Sequence, residues 1–162
     1  LHHKTEKVMA EVEYFEDIAV GTTIAFGPIT VTREQVTDFA REFDPQPFHL
    51  SDEAAASTHF GSLSASGWHT TALFMKMFVA HMQDHGARQQ ASLGALGVDE
   101  LRWLRPVRPG DTLRGTSEVI ETRASASRPE RGIVRSKVTL FNQHDEPVMT
   151  MQPIAMIRTR PQ

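Results

Sequence analysis

From Thr70 to His85 the chain runs Thr-Thr-Ala-Leu-Phe-Met-Lys-Met-Phe-Val-Ala-His-Met-Gln-Asp-His, and Gly86 closes the run. On a helix, Leu73, Phe74, Met75, Met77, Phe78 and Val79 cover nearly the whole circumference instead of one stripe. A helix that is apolar all round has to be buried all round. In a small domain with many strands, the simplest cover is a curved sheet wrapped about it. The plainer alternative leaves half of the helix to its own fold and half to a partner subunit, and the two are compatible. Lys76 interrupts the apolar run, which does not approach a bilayer span.

Everything after this helix reads as strand. Val98 to Leu104 is followed by a turn at Pro109-Gly110-Asp111, then by Thr112 to Glu121 and a polar link from Arg123 to Gly132. Ile133 to Phe141 alternates, with Val134, Ser136, Val138 and Leu140 facing one way and Arg135, Lys137 and Thr139 the other, as in a half-buried antiparallel strand. Asn142 to Glu146 makes a hairpin loop, and Val148 to Arg158 returns. Pro153 cannot donate to a ladder, so it implies an edge position or a bulge there. The class is α+β, with a mostly antiparallel sheet.

Before the helix, Thr22 to Phe26 and Ile29 to Val31 read as a strand pair turning at Gly27-Pro28. Thr32 with Gln35 has the spacing of a capping box. The helix it starts carries Val36, Phe39, Ala40 and Phe43 on one face and ends at Asp44-Pro45. Ser51-Asp52-Glu53 opens a short helix through Ala54, Ala55 and Ala56, its acids at the favourable end.

With 162 residues, 40% hydrophobic and 23% charged, the chain suits one soluble domain. Residues 1–8 read as a polar tail or an expression remnant with Met9 as a candidate start, and residues 9–162 as the domain. A net charge of -3 supplies no electrostatic argument for nucleic acid or an anionic membrane. The absence of cysteine excludes disulfides, thiol catalysis and cysteine-ligated metal centres. Cytoplasm is the default location.

Two stretches carry the chemistry. Phe43-Asp44-Pro45-Gln46-Pro47-Phe48-His49 sets a carboxylate and an imidazole at the ends of a loop that two prolines stiffen. Fully extended, it would hold the two Cα atoms about 16 Å apart, so the loop must curl for one water to bridge them. Phe60-Gly61-Ser62-Leu63-Ser64-Ala65-Ser66-Gly67-Trp68-His69-Thr70 is small and polar and feeds a helix N-terminus. Backbone N–H groups there stabilise a negative oxygen, and Gly67 lets a carbonyl come close to the backbone. The bland reading makes Ser66 and Gly67 an N-cap turn only.

Other arrangements are weaker. The three serines do not fall in a Gly-x-Ser-x-Gly register. His81 and His85 lie one turn apart but lack the glutamate of His-Glu-x-x-His, and a solvated helix end is the better reading. Trp103 with Arg102, Arg105 and Arg108 suits a basic rim for a phosphorylated ligand, though such strand charges are more often merely solvated.

Phe43 to His49, followed by Ala55, resembles the hydratase motif of the MaoC-like dehydratases, the (R)-specific enoyl-CoA hydratase family. Phe60-Gly61 with Ala65-Ser66-Gly67 is similar to that family's entry into its central helix. Arg102-Trp103-Leu104-Arg105-Pro106-Val107-Arg108-Pro109-Gly110-Asp111 is similar to its strand-turn signature. The resemblance covers about Tyr14 to Arg158. It implies a hot-dog fold, a homodimer or higher assembly of dimers, and a coenzyme A thioester as substrate. It also implies hydration and dehydration of a 2-enoyl thioester, with Asp44 and His49 as the catalytic pair and Gly67 as the oxyanion-binding amide.

Ser66, Gln46 and Trp68 join Gly67 as expected oxyanion and substrate-binding residues. No metal or cofactor is expected, coenzyme A entering only as part of the substrate. Phe43 stands where glycine is frequent, Gln46 replaces asparagine, and Trp68 replaces a smaller residue. Gln46 can still orient Asp44, while Trp68 and Phe48 reshape the acyl pocket. A hot-dog acyl-CoA thioesterase and a non-catalytic acyl-CoA-binding module are the competing readings.

Overall fold

The computed structural model describes residues 11–85 and 89–162. The expected tail at residues 1–8, the start at Met9 and the helix-closing Gly86 lie outside them. The described chain runs β1 (Thr23–Thr30), α1 (Arg33–Phe43), α2 (Asp52–Ala56), α3 (Gly67–His85), β2 (Ser92–Trp103), β3 (Thr112–Ala124), β4 (Arg131–Phe141) and β5 (Pro147–Arg158). One antiparallel sheet of order β1-β3-β4-β5-β2 holds all five strands. Leu73, Phe74 and Met77 of α3 pack into it against Phe26, Leu113, Val138, Leu140, Met149 and Met151. This is the hot-dog arrangement, a sheet curved about a central helix.

The local signals that hold are those with a local cause. Thr32 accepts the Gln35 N–H while Gln35 accepts the Thr32 N–H, closing the capping box. Ser51 caps α2 by accepting from the Ala54 N–H. Alternation in β4 buries Val134, Val138 and Leu140.

Three expectations are corrected, and for Pro153 one of two readings is selected. The segment around Gly27-Pro28 is one strand, β1, with a register shift between Phe26 and Ile29 and not a hairpin. Gly27 takes φ +96°, which bends the strand without reversing it. β5 is interior, so of the two readings of Pro153 the edge position falls away, and the register shifts on either side of its Val98 partner fit the bulge. The β4–β5 ladder is open between the Arg135↔Ile154 and Val138↔Met151 pairs, while β2 shifts register three times alongside β5.

Phe43 is 66% exposed: α1 buries Val36, Thr37 and Ala40, and its last turn runs out past the core. Finally, α3 begins at Gly67, earlier than Thr70, and the sheet does not enclose it on every side. Met75 is 51% exposed, so the half-covered reading describes the single chain. No helix among the described residues is long and apolar enough to cross a membrane.

Candidate active site

The Asp44–His49 loop curls. Asp44 ends α1 with its N–H on the Ala40 carbonyl, and Gln46 N–H returns to the Asp44 carbonyl at 2.8 Å. Pro47–His49 then form a single 3-10 turn, with His49 N–H on Gln46 O at 2.9 Å. Pro47 suits the start of such a turn because its fixed φ is helical and it has no N–H to leave unpaired. The turn swings the His49 ring back until Nε2 lies 3.5 Å from Asp44 Oδ2. A direct hydrogen bond at that separation is weak, whereas a water beside the pair reaches both atoms.

His49 is buried, and its orientation is set by its other nitrogen. Nδ1 lies 2.7 Å from the Ser64 carbonyl. A carbonyl only accepts, so Nδ1 carries the proton and donates, leaving Nε2 towards Asp44. Phe48 packs edge-on against the imidazole at 4.6 Å and Phe60 lies 5.9 Å away.

Asp44 accepts two hydrogen bonds: Ser66 Oγ–H to Oδ2 and Gln46 Nε2–H to Oδ1, both at 2.7 Å. Partial burial pushes its carboxyl up. The donors Ser66 and Gln46, with the charge of His49, outweigh this and hold it below the usual carboxylate range. Gln46 thus donates to the carboxylate next to it. Ser66 does something else as well: its hydroxyl accepts the Trp68 N–H at 3.2 Å, capping α3, and donates to the acid. The one hydroxyl thus makes both the N-cap bond and a bond to Asp44.

A cavity of about 520 Å³ is lined by Asp44, Gln46, His49, Ser66, Gly67, Trp68 and Trp103, among others. The acid, the imidazole and the first turn of α3 thus meet in one space. Gly67 opens the helix, where first-turn N–H groups have no intrahelical acceptor. The room over the Gly67 Cα is taken by the Trp103 indole, which a Cβ at that position would overlap.

Supporting residues escaped the sequence reading. Asp52 Oδ1 accepts the Leu63 N–H at 2.9 Å, and that bond, with Arg33, holds its carboxyl below the ordinary range. Arg108 donates to Ser62 O, Ser62 Oγ and Phe60 O. Together they pin the segment that delivers the Ser64 carbonyl and Ser66. Of the arginines weighed as a basic rim, Arg105 lines the cavity and pairs with Glu146, Arg102 pairs with Glu100, and Arg108 is committed to this loop. His81 and His85 stack at 4.2 Å near the end of α3. Among the described residues no group of three or more histidine, aspartate or glutamate side chains is placed to hold a metal.

The MaoC like domain family matches residues 16–140. The chain is 38% identical to a MaoC-like dehydratase structure from Rhodospirillum rubrum, with TM-score 0.82 over 93% of this chain and 99% of that one. It is 33% identical to mesaconyl-CoA hydratase of Cereibacter sphaeroides, over 91% of this chain but 41% of that protein's length. It is 32% identical to 3-hydroxybutyryl-CoA dehydratase of Methylorubrum extorquens, over 68% of this chain and 66% of the relative. On this match, which takes in the acid, the imidazole and the helix start alike, the chain belongs to the MaoC-like family of hydratases and dehydratases.

Proposed function

We propose that this protein adds water reversibly to a 2-enoyl-CoA thioester, giving the 3-hydroxyacyl-CoA. The observation that carries the reading is the 3.5 Å approach of His49 Nε2 to Asp44 Oδ2 in the cavity that Gly67 also lines. The thioester oxygen sits on the Gly67 N–H, whose loss would raise the barrier by about 3 kcal/mol. One water sits beside the pair, within hydrogen-bond reach of both the carboxylate and Nε2. Its oxygen bonds to C3 as its proton passes to Nε2, and the double-bond electrons move towards the thioester oxygen as an enolate. The enolate then takes a proton at C2 from the pair, so that one water has been added and both side chains are restored. Asp44, held ionised by Ser66 and Gln46, orients the water and balances the imidazolium.

No cofactor enters these steps, and coenzyme A belongs to the substrate. We further propose a homodimer. Trp68, Met75, Val79 and Val98 line an apolar groove along the outward side of α3, and Trp68, Met75 and Val98 are exposed in the single chain.

The test is a hydration assay with crotonyl-CoA and longer 2-enoyl-CoAs on wild type and Asp44→Asn. Loss of the enoyl absorbance without free thiol is expected, together with a large fall in the variant. Thiol release would indicate a thioesterase, absence of turnover a binding module, and an unchanged Asp44→Asn would end the assignment.

A further inference from the structure

A Cβ built on Gly67 would overlap Cδ2, Cε2 and Cε3 of Trp103, atoms about the ring-fusion bond of the indole. Contact with the middle of the ring system means that the indole lies face-on against the Gly67 Cα. The ring is held there on several sides. Its Nε1–H donates to Thr71 Oγ1 at 3.2 Å, and the Thr71 hydroxyl donates to the Gly67 carbonyl at 2.9 Å. Trp68 packs edge-on against it with centroids 5.0 Å apart. Its backbone pairs with Met149 at the end of β2. Both indoles line the cavity that holds Asp44 and His49.

We infer that Trp103 is a specificity-determining residue, whose indole excludes 2-enoyl thioesters that carry a substituent on C2. The inference rests on the hydration reading above. With the thioester oxygen on the Gly67 N–H, the carbonyl carbon is the acyl carbon nearest that amide, and C2, bonded to it, is the next. One face of the double bond must be turned to Asp44 and His49. A C2 substituent lies in the plane of the double bond and stays close to the carbonyl, where the indole already occupies the space beside Gly67. Groups on C3 and beyond lie farther from the ring and are not limited by it.

The experiment compares kcat/KM for crotonyl-CoA and for its 2-methyl analogue, tiglyl-CoA, in wild type, Trp103→Val and Trp103→Phe. One methyl group in a filled pocket is worth about tenfold or more in discrimination. Wild type should favour crotonyl-CoA, Trp103→Val should move the ratio at least about tenfold towards tiglyl-CoA, and Trp103→Phe should stay near wild type. A purely structural indole would lower both substrates together in Trp103→Val and leave the ratio alone. That result, in a variant whose circular dichroism and melting show it folded, overturns the inference and leaves the hydration reading standing. Should Trp103→Val not fold, Trp103→Leu carries the same comparison. Hydration of neither thioester by wild type removes both.

Discussion

Ser66 Oγ gives its proton to Asp44 Oδ2 at 2.7 Å while accepting the Trp68 N–H at 3.2 Å, so one hydroxyl ties the acid to the first turn of α3. The pair is 22 residues apart in sequence. Any shift of the helix start therefore shifts the carboxylate with it.

Ser66→Ala removes both bonds. Loss of the cap should lower stability by about 1 kcal/mol, read by urea unfolding. The Asp44 carboxyl should titrate higher than in wild type, because a donor to its charged form is gone, and NMR titration of the side-chain carboxyl reports this. An unmoved titration would mean that the 2.7 Å bond does not form in solution.

Asp44 has a second, pH-dependent consequence. Its carboxyl is depressed in the folded state, so its contribution to stability is complete above the unfolded value, about 3.9, and is lost as pH falls through the lower folded value. Wild type and Asp44→Asn should accordingly differ most in stability near neutral pH and converge at strongly acid pH. In the hydration assay the same substitution should cost about 10²- to 10⁴-fold in kcat.

His69 is buried, stacked on Phe39 with centroids 4.9 Å apart, and its Nδ1 has no hydrogen-bond partner. Burial pushes its pKa down. Below about pH 6.5 the unfolded chain takes up a proton that the folded chain refuses, so stability declines as pH falls from there to the lower folded value. His69→Leu keeps the volume without the titration. Urea midpoints at pH 7.5 and pH 5 should draw apart for wild type more than for the variant, and an equal drop in both would refute it.

Gly67 and Trp103 should be coupled. Gly67→Ala forces a methyl into the indole and should cost about 1–3 kcal/mol as overpacking. In a Trp103→Ala background the same change should cost much less, giving a double-mutant interaction energy above about 0.5 kcal/mol. Additive melting shifts would mean that the indole does not rest on Gly67.

Much of this fold is written in short-range chemistry. The near-continuous apolar surface of Leu73 to Val79 demands a central buried helix, Thr32 and Gln35 start α1, Asp44-Pro45 stops it, and the alternation of Val134, Val138 and Leu140 makes a strand with one inner face. The stiff loop between Asp44 and His49 and the small residues around Ser66 mark the two parts of the candidate site. Each of these follows from the residue itself and its near neighbours, through helix periodicity, capping or proline geometry.

Other features arise only when distant segments meet. That Gly27 bends one strand and does not turn a hairpin, and that Pro153 lies in an interior strand, depends on which strands pair and in what register. Ser66 reaching Asp44, the Ser64 carbonyl fixing the His49 tautomer, Arg108 bracing Phe60 and Ser62, and Trp103 covering Gly67 join residues 15 to 48 positions apart. No local propensity encodes such encounters. They are decided by how α1 and the sheet pack around α3, because only that packing brings these polar groups together away from water, where each must find a partner.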